Sequence, residues 1–208
     1  MDVQTIAQKM FTGARASHDW DHTLRVLRLC EHIGPAERAD MDVLRVAAVL
    51  HDIGRPHQDA NRGSVCHAAH GSVLAEPIVA TLVFSPGQKD NILHCIRTHR
   101  FRGMHVPETL EAKVLFDADK LDAIGAIGIA RAYLFAGEIG ARLHSPDVPA
   151  EKSVPYSIDD TGFREYRVKL CKIKDRMMTS EGKRMAGERH RFMTAFFNRF
   201  LQEYQGEM

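Results

Sequence analysis

The sequence predicts an all-α protein, and three observations carry that prediction. Nearly every patterned segment repeats its apolar residues every three to four positions, which is typical of helices. No segment alternates apolar and polar residues convincingly enough to predict a strand. The chain has 208 residues, 44% of them hydrophobic, which suits a domain with a substantial core.

The predicted helices follow one another closely in the first part of the chain. An amphipathic helix covers residues 21–33, and residues 41–50 are apolar nearly all round, which predicts a central helix. Residues 64–84 form a longer helical segment that Pro77 is expected to kink or split. Further helices are predicted over residues 88–99, from near Pro107, and over residues 121–136.

The later part of the chain is less regular. Residues 137–160 hold three prolines and two glycines among few apolar residues, which predicts a long irregular loop. Helical stretches follow near 160–178 and 183–204, and the aromatic stripe of the last one predicts core packing. We expect one domain over residues 1–208, with a C-terminal helical extension (161–208) packed on it. The loop either closes over a site or contacts a second subunit in a homodimer, and both alternatives stay open.

Composition excludes some classes of function. The formal net charge is +1, so no global field favours nucleic acid or a membrane surface. No basic stripe with interleaved aromatic residues is present, and no glycine-rich phosphate loop. The four cysteines are scattered, which predicts free thiols in a reducing compartment. With neither a signal peptide nor a long apolar run in the sequence, we expect a cytoplasmic protein.

The chain contains twelve histidines, and one of them stands beside an aspartate at the end of an apolar helix. His51 and Asp52 are costly to bury without partners, and a metal would compensate that cost. His22 opens an earlier helix, and Asp119 belongs to the later segment DADKLD. Imidazoles and carboxylates together suit Mn, Fe, Co, Ni or Zn. Such an ion activates water and polarises a phosphoryl oxygen, which points to phosphoryl chemistry.

The order H…HD…D resembles the signature of the HD-domain metal-dependent phosphohydrolases. Three flanking segments are similar to those of a bacterial branch of that superfamily: SHDWDHTLRV (17–26), AVLHDIGR (48–55) and ETLEAKVLFDADKLDAIGAIGIARAY (108–133). The tail MTSEGKRMAGERHRFMTAFFNRFLQEY (178–204) also resembles this branch, so the similarity covers nearly the whole chain.

The resemblance implies a fold and a metal site. The fold is an HD-domain helical bundle, and the metal ligands are His22, His51, Asp52 and Asp119. Asp119 is preferred to Asp117 because the match places the ligand directly before a lysine. Asp52 also orients the attacking water. Mn²⁺ is the favoured ion, with Mg²⁺, Fe²⁺, Co²⁺, Ni²⁺ and Zn²⁺ as alternatives.

Further residues receive roles near the substrate. His67 and His99 resemble the extra histidines that bind a second metal in some HD phosphodiesterases. Arg100 stands where the partner of His99 is expected, which favours one metal with both histidines near the phosphate, His67 as a catalytic residue and His99 as a substrate-binding residue. Three cationic side chains complete the expected site: Lys120 is assigned a catalytic role, and Arg55 and Arg100 are assigned to substrate binding. His18 and Asp19 precede the first ligand, and they either fix the His22 ring or cap its helix.

The implied activity is hydrolysis of a phosphate ester or anhydride in a small nucleotide. A nucleoside triphosphate pyrophosphohydrolase or a nucleotide phosphatase is the leading interpretation. One alternative is a cyclic nucleotide or cyclic dinucleotide phosphodiesterase with two metals. The other is a non-catalytic nucleotide-binding signalling module with a structural metal. In each case the expected partner is a small nucleotide, and neither nucleic acid nor a membrane is expected.

Overall fold

The computed structural model describes residues 2–11, 20–61, 65–100 and 105–207, and within these ranges it contains helices and no strand. The all-α prediction is confirmed. No helix in these ranges combines the length and apolar character needed to cross a membrane. The α-helices are α1 (Val3–Met10), α2 (Trp20–Glu37), α3 (Met41–Leu50), α4 (Arg55–Ala60), α5 (His67–Ala80), α6 (Pro86–Thr98), α7 (Leu110–Asp122), α8 (Gly125–Glu138), α9 (Gly162–Val168) and α10 (Ser180–Gln205), and a 3₁₀ helix (Leu170–Arg176) follows α9.

The chain divides into two compact units. The first contains Met1–Asp119 and Met178–Gly182, and the second contains Lys120–Met177 and Lys183–Met208. All four cysteines are free thiols. That the chain acts as a single domain stays a prediction.

The central helix of the first unit is α3, as its apolar sequence predicts. It packs against α1, α2 and α6, and side chains such as Leu44 and Leu50 are fully buried. Asp40 begins the helix, because its carboxylate accepts hydrogen bonds from the backbone N–H groups of Asp42 and Val43 at 3.0 and 3.3 Å. The helix is therefore fixed at its start and buried along its length.

Two other helices of the first unit, α5 and α6, pack against each other. Of the kink or split predicted at Pro77, the split is wrong, because α5 continues through this residue to Ala80. Pro77 falls in the last turn of α5, where it removes one intrahelical hydrogen bond and little helix remains to be disturbed. The helix predicted from near Pro107 begins at Leu110.

In the second unit, α9 packs against α8 and the 3₁₀ helix. An aromatic cluster surrounds Phe197, whose ring stacks on Tyr166 at a centroid distance of 4.3 Å and meets Phe163 edge-on at 5.6 Å. The core role predicted for the aromatic stripe is confirmed for Phe197, which is 1% exposed, and is wrong for Phe192, which is 50% exposed. Five positions separate the two, about 140° around a helix, so they point to different sides.

The irregular loop predicted over residues 137–160 lies between Glu138, where α8 ends, and the start of α9. Side chains close part of it. The Asp160 carboxylate accepts hydrogen bonds from the backbone N–H of Tyr156 at 2.7 Å and from Arg164 Nη1 at 2.8 Å. In this segment without helix or strand, these side-chain hydrogen bonds hold the chain in place of the regular backbone hydrogen bonds of a helix or sheet.

Candidate metal centre

The His51-Asp52 pair lies in the turn between α3 and α4. Helix α3 ends at Leu50, and α4 begins at Arg55; both members of the pair are 0% exposed. The last carbonyls of a helix have no intrahelical partner, and His51 Nδ1 donates to one of them, Ala48 O, at 2.7 Å. Because the proton of the neutral ring is on Nδ1, Nε2 carries a lone pair.

A close contact between glycines brings this turn against α5. A Cβ at Gly54 would lie 2.3 Å from His67 O and 2.7 Å from Gly71 N, so no larger residue fits without movement. The approach leaves Asp52 Oδ1 only 3.4 Å from His67 Nε2. The glycine of the HDIG sequence therefore contributes to the site through the backbone.

The first cluster consists of His22, His51, Asp52 and Asp119. Candidate ligand atoms of His22, His51 and Asp52 all lie within 4.8 Å of one another. His22 Nε2 is 3.9 Å from Asp52 Oδ2 and 3.4 Å from Asp119 Oδ1. The structure therefore brings together, within the first unit, the four residues that the resemblance implies as metal ligands.

The second cluster consists of Asp52, His67 and His99, whose ligand atoms also lie within 4.8 Å of one another. His99 Nδ1 donates to Ile96 O and His67 Nδ1 to Gln58 Oε1, both at 2.7 Å. Both Nε2 atoms therefore carry lone pairs, yet they are 3.1 Å apart. Because like lone pairs repel, this arrangement is complementary to a cation.

The electrostatics of the site keep the carboxylate charged and the imidazoles neutral. Burial opposes ionisation of Asp52, but the Arg55 guanidinium holds the pKa of the carboxyl well below its usual range. Arg55 Nε donates to Asp52 Oδ2 at 3.2 Å. Burial lowers the pKa of His51 to about 4 and that of His67 to about 2. These are the protonation states in which such side chains bind a metal.

The residues present fit a divalent first-row metal ion. Among the residues that the structure describes, His51 Nε2 and Asp52 Oδ1 are buried with no hydrogen-bond partner. Leaving such atoms unsatisfied is costly unless a ligand completes the site. A donor set of imidazole nitrogens and carboxylate oxygens, without thiolate, suits Mn, Fe, Co, Ni or Zn.

The two carboxylates of the DAD segment have different partners. Asp117 is buried and accepts hydrogen bonds from Met178 N at 2.9 Å and from Thr179 N and Oγ1 at 2.7 Å. It therefore fixes the chain directly before α10. Asp119 is the carboxylate of this segment that reaches His22.

The remaining predicted site residues are placed less directly. The Arg100 side chain contacts the Cys66 thiol; burial opposes the shift, but backbone hydrogen bonds and this guanidinium lower the pKa of the thiol. Lys120 directly follows Asp119 in the sequence and belongs to the second unit. His18 and Asp19 lie outside the described residues. The roles given to all four stay predictions.

Sequence reasoning does not identify Gln58, although its side chain contacts His67 directly. A usable signal does exist. His51 and His99 follow the last residues of α3 and α6, and each bonds a carbonyl three residues earlier. His67 is the first residue of α5, so no turn of that helix precedes it, and its acceptor must come from another element.

The fold and the two clusters define the class of protein. The chain belongs to the HD domain family, whose pattern matches residues 19–124, and it is a metal-dependent phosphohydrolase. The predicted resemblance is thereby confirmed.

Several known proteins are similar along almost the whole chain. The uncharacterized protein YpgQ of Bacillus subtilis (strain 168) is 33% identical over 211 residues, which cover 98% of this chain and 93% of YpgQ. The crystal structure of YpgQ in complex with ADP has a TM-score of 0.72 at 30% identity, covering 97% of this chain and 92% of that one. An HD-superfamily hydrolase from Bacillus thuringiensis has a TM-score of 0.76 at 28% identity, covering 98% and 95%.

Proposed function

We propose that this phosphohydrolase acts on small nucleotides, as a nucleoside triphosphate pyrophosphohydrolase or a nucleotide phosphatase. The first cluster is the observation that carries the proposal, because it combines nitrogen and oxygen donors with a buried His51 Nε2 that bears a lone pair. A nucleotide substrate is supported by the similarity to YpgQ, which forms a complex with ADP.

His22, His51, Asp52 and Asp119 would hold the divalent ion, for which Mn²⁺ is favoured. Once bound, such an ion activates water and stabilises the charge that develops on the phosphoryl oxygens. The protein's own residues divide the other tasks. Asp52 Oδ2 is engaged by Arg55, which leaves Oδ1 to orient a water molecule.

Cationic side chains would bind the phosphates. Arg55 uses one N–H on Asp52, and its remaining donors are available to phosphoryl oxygens. Arg100 and Lys120 are assigned to the same task because their positive charges would complement the negative charge of the nucleotide phosphates. The resulting reaction is an in-line attack of water on phosphorus. Attack on the α-phosphorus of a triphosphate displaces pyrophosphate, whereas attack on a terminal phosphorus yields phosphate and displaces the nucleoside or the shortened nucleotide.

The second cluster favours a second candidate function. With their ring protons on Nδ1, neutral His67 and His99 cannot donate through Nε2 to a phosphate oxygen. Together with Asp52 Oδ1 they present only acceptors, which suits a second cation better than a phosphate. A cyclic nucleotide or cyclic dinucleotide phosphodiesterase with two metals is therefore the alternative.

Product analysis separates the two candidates. Purified protein is incubated with nucleoside triphosphates, deoxynucleoside triphosphates, cyclic nucleotides and cyclic dinucleotides in the presence of Mn²⁺, Mg²⁺, Co²⁺, Ni²⁺ or Zn²⁺. Phosphate, pyrophosphate, the nucleotide products and bound metal are then measured. Pyrophosphate or phosphate release with one ion per chain supports the first proposal, whereas cyclic nucleotide hydrolysis with two ions supports the alternative.

Two matched variants test the site itself. His51→Ala is expected to lose both bound metal and hydrolysis, because it removes a ligand of the first cluster. His105→Ala changes an exposed histidine and is expected to retain both. If His51→Ala or Asp52→Ala turned over nucleotides at the rate of the unsubstituted protein, the catalytic assignment would be wrong.

A further inference from the structure

We propose that Gln58 is a positioning residue for His67, whose ring it holds with the proton on Nδ1 and the Nε2 lone pair directed at Asp52 and His99. The inference rests on the two-metal alternative given under the proposed function in one respect, since it assigns a task to the second cluster. It concerns a residue outside the clusters themselves.

The contacts of Gln58 determine which atom of its amide faces His67. Oε1 lies 2.7 Å from His67 Nδ1 and 3.4 Å from the backbone nitrogen of the same residue. A backbone N–H can only donate, so the amide atom between the two must be the oxygen. An oxygen acceptor at 2.7 Å draws the ring proton to Nδ1, which defines the tautomer.

Gln58 supplies what the backbone supplies to the other histidines. His51 and His99 lie at the ends of α3 and α6 and donate through Nδ1 to Ala48 O and Ile96 O. His67 opens α5, so no preceding turn of that helix offers a carbonyl in this position. All three rings reach the same tautomer, but only His67 depends on a side chain for it.

The ring of His67 has one proton and two competing acceptors. On the opposite edge from Gln58, Asp52 Oδ1 lies 3.4 Å from Nε2. Without Gln58, the carboxylate would attract the proton to Nε2, because a charged acceptor is stronger than an amide oxygen. In that tautomer His67 Nε2 would carry a proton instead of a lone pair. Asp52 Oδ1, which has no hydrogen-bond partner within the described part of the chain, would accept that proton in a hydrogen bond.

Helix α4 carries two side chains that act on the clusters from one face. Arg55 contacts Asp52 and Gln58 contacts His67, and a spacing of three residues places them on the same side of a helix. The short helix therefore fixes two residues that belong to the second cluster. Gln58 is the one that sets a proton position.

The test reads the tautomer directly in metal-free protein. Ring ¹⁵N NMR is recorded for the unsubstituted protein, Gln58→Leu and Gln58→Glu, with His67 signals assigned from their loss in His67→Asn. We expect Nδ1 protonation in the unsubstituted protein, a shift of the population toward Nε2 protonation in Gln58→Leu, and return to Nδ1 protonation in Gln58→Glu, which keeps an acceptor oxygen. Titration with Mn²⁺ should show about 10–100-fold weaker binding at this cluster in Gln58→Leu.

Gln8→Leu is the control, because it makes the same change at an exposed position of α1 and should leave spectra and titration unchanged. Circular dichroism verifies that each variant is folded, and Gln58→Glu keeps the test decisive if Gln58→Leu unfolds. An unchanged His67 tautomer in folded Gln58→Leu, or a population shifted toward Nε2 protonation in Gln58→Glu, would overturn the proposal. Absence of nucleotide hydrolysis by the unsubstituted protein would instead refute the proposed function and leave the tautomer result standing.

Discussion

At the scale of single residues, the chemistry of this site depends on where a few protons lie. Three buried imidazoles hold their protons on Nδ1, toward Ala48 O, Gln58 Oε1 and Ile96 O. Their Nε2 atoms converge near Asp52, whose pKa is held low by Arg55 against the effect of burial. A pocket that offers lone pairs and a negative charge is complementary to cations, so the arrangement of these side chains suits a metal ion.

A substitution at Asp117 tests how strongly the metal site depends on a residue outside the two clusters. Asp117→Ala removes the acceptor for Met178 N, Thr179 N and Thr179 Oγ1. Because buried donors are then left unsatisfied, the free energy of unfolding should fall by about 3 kcal/mol or more. Metal affinity should fall too, since α7 carries both Asp117 and Asp119. Urea unfolding and Mn²⁺ titration measure the two effects.

The control is Asp42→Ala, which alters a carboxylate whose side chain is 76% exposed. It should change the unfolding free energy by no more than about 0.5 kcal/mol. Equal destabilisation by the two substitutions would contradict the anchoring role of Asp117.

At the scale of secondary-structure elements, the sequence predicts what periodicity encodes and misses what packing imposes. The apolar stretch of α3 is predicted with its observed bounds, because it is buried on nearly all sides. The short helix α4, RPHQDA, has no apolar period and is not predicted. Its packing against α5 depends on the close approach at Gly54, which becomes visible only when the elements are in place.

The same distinction holds within the candidate site. His51 and Asp52 stand out in the sequence because adjacent ionisable groups end an apolar helix. Gln58 does not stand out, since one glutamine in a polar segment has many uses. Its role follows from a distance to His67, and distances between elements are not encoded in local pattern.

Gly54→Ala tests the close approach of α5 to the HD turn. The added Cβ would lie 2.3 Å from His67 O and 2.7 Å from Gly71 N. Backbone atoms cannot yield as flexible side chains do, so we expect a loss of about 1–3 kcal/mol in unfolding free energy. The second cluster should open at the same time, because Asp52 and His67 would move apart. Thermal unfolding and metal titration measure both effects.

Gly87→Ala is the matched substitution, because a Cβ at that position meets nothing within 4 Å. Alanine is the better helix former, so this variant should be unchanged or more stable by up to about 1 kcal/mol. A Gly54→Ala protein as stable as Gly87→Ala, with unchanged metal binding, would show that the contact is not limiting.

At the scale of the whole molecule, the first unit depends on chain segments far apart in sequence. The HD family pattern covers residues 19–124, yet Met178–Gly182 also belong to this unit. Those residues supply the donors that satisfy Asp117. The similarity to YpgQ along 98% of the chain is therefore consistent with a tail that takes part in building the first unit.

The burial of neutral histidines predicts how the stability of the whole protein depends on pH. An unfolded histidine has a pKa near 6.5, whereas burial lowers the pKa of His51 to about 4 and that of His67 to about 2. Below pH 6.5 the unfolded chain binds more protons than the folded one. The contribution of these histidines to the free energy of unfolding is therefore fully present above that pH and falls as the pH decreases. Each histidine should contribute a loss of about 1.4 kcal/mol per pH unit until its folded pKa is reached. Urea unfolding in EDTA at pH 7.5, 6 and 5 measures the slope, and His67→Asn should make it shallower by one histidine's share. A slope that is the same with and without His67 would mean that this ring does not titrate as its burial requires.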